Sequence, residues 1–388
     1  MVISTTVSDL NCLYLCHSTK WSTNERQAVR DCLMFRELGG TPILYCIKDS
    51  YVDTRATELG IERIYSKRKN INSWFDFSFY FYLKELIKKN NINIVHCYHI
   101  EYASTLSLGL GPYPDIPLIF SINRLMRARD KGFFKRLLFS RIDLLLTINR
   151  TIRYSLEDCL PMKGKKIHAL GTGLKFEDNF TIKSLEDEWR FMCYVPAHTI
   201  NIEHFVTLFN SLKPLENSLR EFTMPVKKFK LFLTSKRNWS EFPLYADLLD
   251  LIQEKDLFEM VEFVQVEDVV SSMNDYHLSI SIDAEENVSD YEILAAARLV
   301  PILVPRAGGR SDLLENFPGI GESYLPRDAR EIKDKCLKIL VNKAFYDQNL
   351  LYQRTKILEA HGHQYYRLRA KTLYENLVEV RKRLVQHR

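Results

Sequence analysis

The sequence contains no apolar run near the ~20 residues that cross a bilayer, so no membrane-spanning helix is expected. Its start lacks a basic segment followed by an apolar one, and a secretory leader is not expected either. The eight cysteines include no C-x-x-C pair; Cys12 and Cys16 are the closest two, and apolar neighbours surround most of the others. They read as reduced, buried thiols of a cytoplasmic protein, not as a disulfide framework. His, Asp and Cys nowhere cluster at metal-ligand spacing, so no structural metal is expected. G-x-S-x-G and the Walker loop are both missing, which argues against serine-hydrolase and NTPase chemistry. A net charge of +5 over 388 residues is too mild to imply nucleic acid, and no such partner is expected. Fixed-period repeats and low-complexity segments are also lacking.

What is present is a soluble, globular composition, 46% apolar and 27% charged, long enough for two domains. Short apolar runs at Asn11–Cys16, Thr41–Ile47, Asn93–Cys97, Leu118–Ser121 and Leu144–Ile148 predict strands. Between them, amphipathic stretches predict helices over Glu25–Leu38, Phe75–Lys89, Ala103–Leu108, Gly132–Arg141 and Thr151–Leu160. Nearly continuous apolar strands alternating with helices imply a parallel sheet covered on both faces. The polar stretch Lys175–Trp189 reads as a linker. A second alternation follows it, with strands at Phe191–Val195, Lys228–Thr234, Met260–Val264, Leu278–Ile282 and Pro301–Val304. Its helices fall at Glu203–Leu212, at Leu244–Gln253 and after Asp290. The division read from this is a first Rossmann-like domain over 1–180, a second over 186–345, and terminal helices over 346–388 that pack back on the first. Two doubly wound sheets of this kind offer a ligand-binding cleft at their strand carboxyl ends.

The stretch from Ser281 to Gly309 carries the most chemical information. It reads as a buried strand, an acidic loop, a helix opening near Ser289, a second strand and a glycine turn. A helix N-terminus with unpaired N–H groups is a seat for phosphate. A carboxylate in the first turn, Glu292, can accept bonds from sugar or ribose hydroxyls, so the constellation suits a nucleotide-sugar diphosphate. The same acids would serve equally as the solvated loop of an ordinary β-α-β unit. Asn287 and Ser289 belong to this candidate donor site, as do Gly308 and Gly309, which let backbone approach a phosphate closely. Lys236 and Arg237 end a predicted strand and are candidate diphosphate cations, with a solvated loop as the alternative. His198 is a further candidate donor to the diphosphate. His96 reads as a core histidine with a backbone partner, and His99 as lying nearer a cleft. Finally, Arg124–Arg141 holds seven cations and one acid, with Phe133, Phe134, Leu137 and Leu138 interspersed. This segment, Arg127 included, suits a peripheral site on an anionic membrane, or else an amphipathic helix packing its apolar side inward.

In order and spacing, these pieces resemble the retaining glycosyltransferases of family 4. Asn91-Ile-Asn-Ile-Val-His96-Cys-Tyr-His99 is similar to that family's D-I-V-H-x-H, and Ile116-Pro-Leu-Ile-Phe-Ser-Ile-Asn123 to its I-P-V-V-x-T-x-H. Arg141-Ile-Asp-Leu-Leu-Leu-Thr-Ile-Asn149 with Lys166-Ile-His-Ala-Leu-Gly-Thr-Gly173 resembles A-D-x-V-I-x-x-S followed by K-I-x-V-I-P-N-G. Pro301-Ile-Leu-Val-Pro-Arg-Ala-Gly308-Gly309 resembles P-V-V-A-S-x-x-G-G. The resemblance implies an α/β GT-B fold with terminal helices crossing back. It implies transfer of a sugar, with retention and without a metal, from a nucleotide donor on the second domain to a glycan or lipid-linked acceptor on the first. It places Glu285 or Glu286 at the reacting sugar, Asn123 at the family's catalytic histidine position, and Asn24 and His99 with Arg127 toward the acceptor. Four loops depart from the pattern. Position 284 of E-x7-E is Ala, the turn Val195–Asn201 has no Arg or Lys, G-G-x-E reads Ser22-Thr23-Asn24-Glu25, and the histidine is Asn123. A non-catalytic protein of the same shape, binding a nucleotide, glycan or protein, is the alternative.

Overall fold

The computed structural model describes residues 6–66, 77–127, 129, 131–162, 166–176, 188–196, 201–221, 228–283 and 288–386. The chain divides into two compact units, the first running to Gly173 and resuming at His361, the second being Leu174–Ala360.

The first unit contains β1 (Asn11–Leu15), α1 (Thr23–Glu37), β2 (Thr41–Cys46), α2 (Tyr51–Glu58), β3 (Glu62–Tyr65), α3 (Phe77–Lys89) and β4 (Ile94–Cys97). It continues with α4 (Ala103–Gly109), β5 (Leu118–Ser121), α5 (Phe133–Ser140), β6 (Leu144–Thr147), α6 (Arg150–Cys159) and β7 (Ile167–Ala169). The strands pair in parallel in the order β3-β2-β1-β4-β5-β6-β7. β1 shows why its sequence is apolar past Asn11. Leu13 and Leu15 enter the core shared with α3, α4 and α6, while Cys12 and Tyr14 enter the core shared with α1 and α2. Each such aliphatic side chain contributes about 1.5–3 kcal/mol on burial.

The second unit contains β8 (Trp189–Tyr194), α7 (Glu203–Glu221), β9 (Phe229–Ser235), α8 (Tyr245–Glu254), β10 (Val261–Gln265), α9 (Val269–Ser272) and β11 (Leu278–Ile280). After these come α10 (Asp290–Ala297), β12 (Ile302–Pro305), α11 (Gly309–Asn316), β13 (Gly321–Tyr324), α12 (Ala329–Val341) and α13 (Lys343–His361). Its parallel order is β10-β9-β8-β11-β12-β13. The helix predicted to stop at Leu212 runs on through Pro214 to Glu221. Leu208, Leu212, Leu215 and Leu219 continue one buried stripe past the proline, and that packing outweighs the missing N–H.

The terminal helices separate. Leu350 and Ile357 of α13 are fully buried in the second unit's core, so α13 belongs there and not with the first unit. Only α14 (His363–Gln386) packs on the first unit, through Tyr366, Ala370, Tyr374 and Val378. The buried Asp31 carboxylate anchors it, accepting from Tyr366 Oη at 2.6 Å, Tyr98 Oη at 2.5 Å and Gln27 Nε2 at 2.8 Å. The boundary falls after Gly173, a little before the predicted linker; Trp189, the last residue of that stretch, opens β8. Among the described residues no helix is long and apolar enough to cross a membrane.

Candidate functional site

In the second unit the strand order reverses between β8 and β11, so the connections leave in opposite directions and open a crevice at the strand carboxyl ends. A pocket lies there, lined by Tyr194, Pro196, Ser281, Asp283, Ser289 and Tyr291 among others. The Tyr194 and Tyr291 rings lie with centroids 3.8 Å apart, and their hydroxyls are 3.1 Å apart. Ser289 caps α10: its Oγ accepts from Tyr291 N at 3.3 Å.

Glu292 sits in the first turn of α10, as the sequence reading requires, but beneath the pocket instead of in its lining. Only 1% exposed, it closes a capping box: Oε2 accepts from Ser289 N at 2.9 Å. Its Oε1 accepts from Arg310 Nε at 2.7 Å. Arg310 is itself fully buried, and its Nη2 also binds Asp283. Burial raises the Glu292 pKa and Arg310 pulls it down, while Asp283 adds to the rise. For Arg310, burial opposes the charge, but Glu292 and Asp283 outweigh it and hold the guanidinium charged. The expected ribose-accepting role therefore meets a carboxylate whose two oxygens are already engaged. Asp283 is the carboxylate of this trio that lines the pocket.

The other predicted donor residues divide. Ser289 is in the pocket wall. Gly308 takes φ +44°, a left-handed value that favours glycine, and leads into Gly309 at the start of α11. Lys236 and Arg237 are exposed past the end of β9, next to β8 in the sheet, and are not part of the pocket lining. Glu285, Glu286, Asn287 and His198 lie outside the described residues.

In the first unit the corresponding reversal lies between β1 and β4. Here the structure brings Asn24, Asn123 and His99 to one end of the sheet. Asn24 donates from Nδ2 to Tyr98 O at 3.2 Å and accepts on Oδ1 from Asn123 N at 3.2 Å. Asn123 is buried and His99 half-buried. His96 is the core histidine expected, but its partners are side chains: Tyr374 Oη at 3.0 Å and Ser121 Oγ at 2.8 Å. Burial pushes its pKa down to about 3, so the ring is neutral. Spacing along the chain gave no sign that Cys16, Glu25 and His99 converge, yet one ligand-type atom of each lies within 4.8 Å of the others.

Of the two readings of the basic segment, the one that packs its apolar side inward is not what the structure shows. Of its apolar residues Phe139 packs inward, while Phe133, Phe134 and Leu137 are 76%, 78% and 65% exposed. Arg127 and Arg136 are exposed as well. Arg141, predicted among the surface cations, instead turns in to Asp143 at 3.2 Å and to the Ile116 carbonyl at 2.6 Å.

No family model and no curated protein matches this chain. Solved structures do. A glycosyltransferase from Rickettsia africae superposes with a TM-score of 0.76 at 15% identity, covering 95% of this chain and 98% of its own. HepE of Anabaena, solved in complex with UDP, gives 0.69 at 11% identity over 94% of this chain and 100% of its own. Sucrose-phosphate synthase from Thermosynechococcus elongatus gives 0.67 at 12% over 96% and 100%. The fold is GT-B. Within it, sequence reasoning missed Arg310, Asp283 and the Tyr194–Tyr291 pair. Arg310 follows the Gly308-Gly309 turn directly, and a buried-strand neighbour with a charged residue at the helix start was the available signal.

Proposed function

We propose that the chain is a glycosyltransferase that moves a sugar, with retention, from a nucleoside-diphosphate donor on the second unit to a hydroxyl of a glycan or lipid-linked acceptor on the first. The observation that carries this reading is the pocket at the β8–β11 reversal, where an aromatic pair, a helix N-terminus and Asp283 converge in a GT-B fold. The N-terminus of α10 and nearby cations offset the charge of the departing diphosphate, and the donor step needs no metal. Glu292 acts as a positioning residue: through Ser289 N and Arg310 it fixes the cap of α10 and the carboxylate of Asp283. The exposed Phe133, Phe134 and Leu137, beside Arg127 and Arg136, support docking of the first unit on an anionic membrane surface at the cytoplasmic face, where a lipid-linked acceptor would be found.

A thermal-shift and donor-hydrolysis panel with UDP, GDP, ADP and CMP sugars tests the reading. One nucleotide class should stabilise the protein, and its sugar should be slowly hydrolysed. The engagement of Glu292 by Arg310 favours a second reading, a GT-B protein that binds nucleotide without transfer. Stabilisation by a nucleotide with neither hydrolysis nor transfer would select it; no stabilisation by any of the four would reject both.

A further inference from the structure

At the carboxyl ends of β1 and β4, three residues distant in sequence meet: Cys16 follows β1, Glu25 lies in the first turn of α1, and His99 follows β4. Cys16 is fully buried and Glu25 is 3% exposed. Glu25 closes the cap of α1, its Oε2 accepting from Ser22 N at 2.8 Å and from Ser22 Oγ. Among the described residues no arginine, lysine or ordinary ion pair reaches this carboxylate. A buried carboxylate without a cation is costly and calls for compensation. His99 supplies a second, independent sign: its Nε2 is buried and has no hydrogen-bond partner among the described residues. An imidazole nitrogen, a thiol and a carboxylate, one from each of three elements, form a donor set suited to a borderline-soft divalent ion.

We propose that Cys16, Glu25 and His99 form a zinc-class metal site in the first unit, with a fourth position open to water or a small ligand. Bonds of about 2.0–2.3 Å place tetrahedral donors about 3.5 Å apart, so closing the 4.8 Å cluster takes shifts of about an ångström. Binding releases the Cys16 proton, and the dication then balances one thiolate and one carboxylate, leaving a neutral buried assembly. The Ser22 bonds orient Glu25 as an outer shell does. This site lies in the other unit from the pocket and shares His99 with the acceptor side of the transferase reading, so its test reads metal binding directly and not transfer.

The test uses the purified full-length chain, stripped with chelator, reloaded with Zn2+ or Co2+ and desalted. About one equivalent should be retained, and Zn2+ should raise the melting temperature. The Co2+ form should show thiolate-to-metal charge-transfer absorption that Cys16→Ser removes and that Cys336→Ser, in the second unit, preserves. His99→Gln and Ser22→Ala should weaken Zn2+ binding on the order of a hundredfold and tenfold respectively. X-ray absorption at the zinc edge of the unmutated protein, which needs no variant to fold, should report one sulfur among nitrogen and oxygen neighbours. Loss of all metal on desalting, a shell without sulfur, or a charge-transfer band that survives Cys16→Ser would each overturn the site.

Discussion

Glu25 and Glu292 occupy equivalent situations in the two units and meet opposite neighbours. Each stands third in the capping box of a helix that follows a strand at the sheet reversal, with Ser22 and Ser289 as the caps. Each is almost fully buried. Around Glu292 the charge is balanced by Arg310, and the space above remains open as a pocket. Around Glu25 the neighbours are a thiol and an imidazole, and among the described residues no arginine or lysine pairs with it. The same local device thus starts a helix in both places, while what surrounds it decides whether the site holds a large ligand or a small ion. Local sequence sets the cap; the third dimension sets the chemistry.

The comparison breaks most visibly at Arg310. Arg310→Met should destabilise the protein by about 3–5 kcal/mol in chemical denaturation, because it strands a buried carboxylate. With the pull of Arg310 gone, Glu292 keeps the burial-raised pKa. The native state then holds its proton to higher pH than the unfolded one, so stability falls as pH rises through the carboxylate range. A variant as stable as the parent, or one whose stability rises with pH there, would dissolve the ion-pair assignment. Glu292→Gln leaves Arg310 its bond to Asp283, so its loss should be smaller, about 1.5–3 kcal/mol, with weaker nucleotide binding.

The outer faces sharpen the contrast next. Changing Phe133, Phe134 and Leu137 to Ser should leave stability within about 0.5 kcal/mol, since all three are exposed. It should weaken binding to anionic vesicles by about a hundredfold if each inserted side chain contributes roughly 1 kcal/mol. Neutralising Arg127, Lys135 and Arg136 should act comparably at low salt and much less at high salt. Equal co-sedimentation with zwitterionic and anionic vesicles, or none with either, would leave the first unit without a membrane face.

A smaller effect is expected from Asp31→Asn, which loosens α14 on the first unit. At neutral pH it should cost about 1–2 kcal/mol from the hydrogen bonds to Tyr98, Tyr366 and Gln27. Burial raises the Asp31 pKa against the pull of those partners, so this contribution to wild-type stability falls as pH rises through the carboxylate range. The gap between wild type and variant should therefore be widest at acid pH. Nucleotide-induced stabilisation, belonging to the second unit, should not change; a parallel loss would mean the units are not separable in this way. Smallest of all, Lys236→Ala with Arg237→Ala should weaken nucleoside-diphosphate binding by about fivefold and nucleoside binding less, as suits exposed cations. Equal losses for both ligands would return the pair to a solvated loop.

Much of the architecture was legible along the chain. Leu118–Ser121 was read to the residue and several other strands to within one or two, because strands buried on both faces are continuous apolar runs. The short β3, whose residues are exposed or half-buried, offered no such run and was not read. β13 was missed likewise, with three of its four residues only half-buried. The extension of α7 past Pro214 was hidden because the residue that signals a break sits inside a stripe that packing retains.

The sequence by itself determined the two alternating α/β halves, the absence of a membrane-spanning run, and the position of Glu292 at the start of a helix. Those follow from periodicity and capping, which act over a few residues. Only the tertiary structure decided that Glu292 faces Arg310, 18 residues away, and that Cys16, Glu25 and His99 share one small space. It also decided that Phe133 and Phe134 face outward. The balance of buried charge and the exposure of an apolar face are set by which strands become neighbours, and in a parallel sheet those neighbours come from distant parts of the chain.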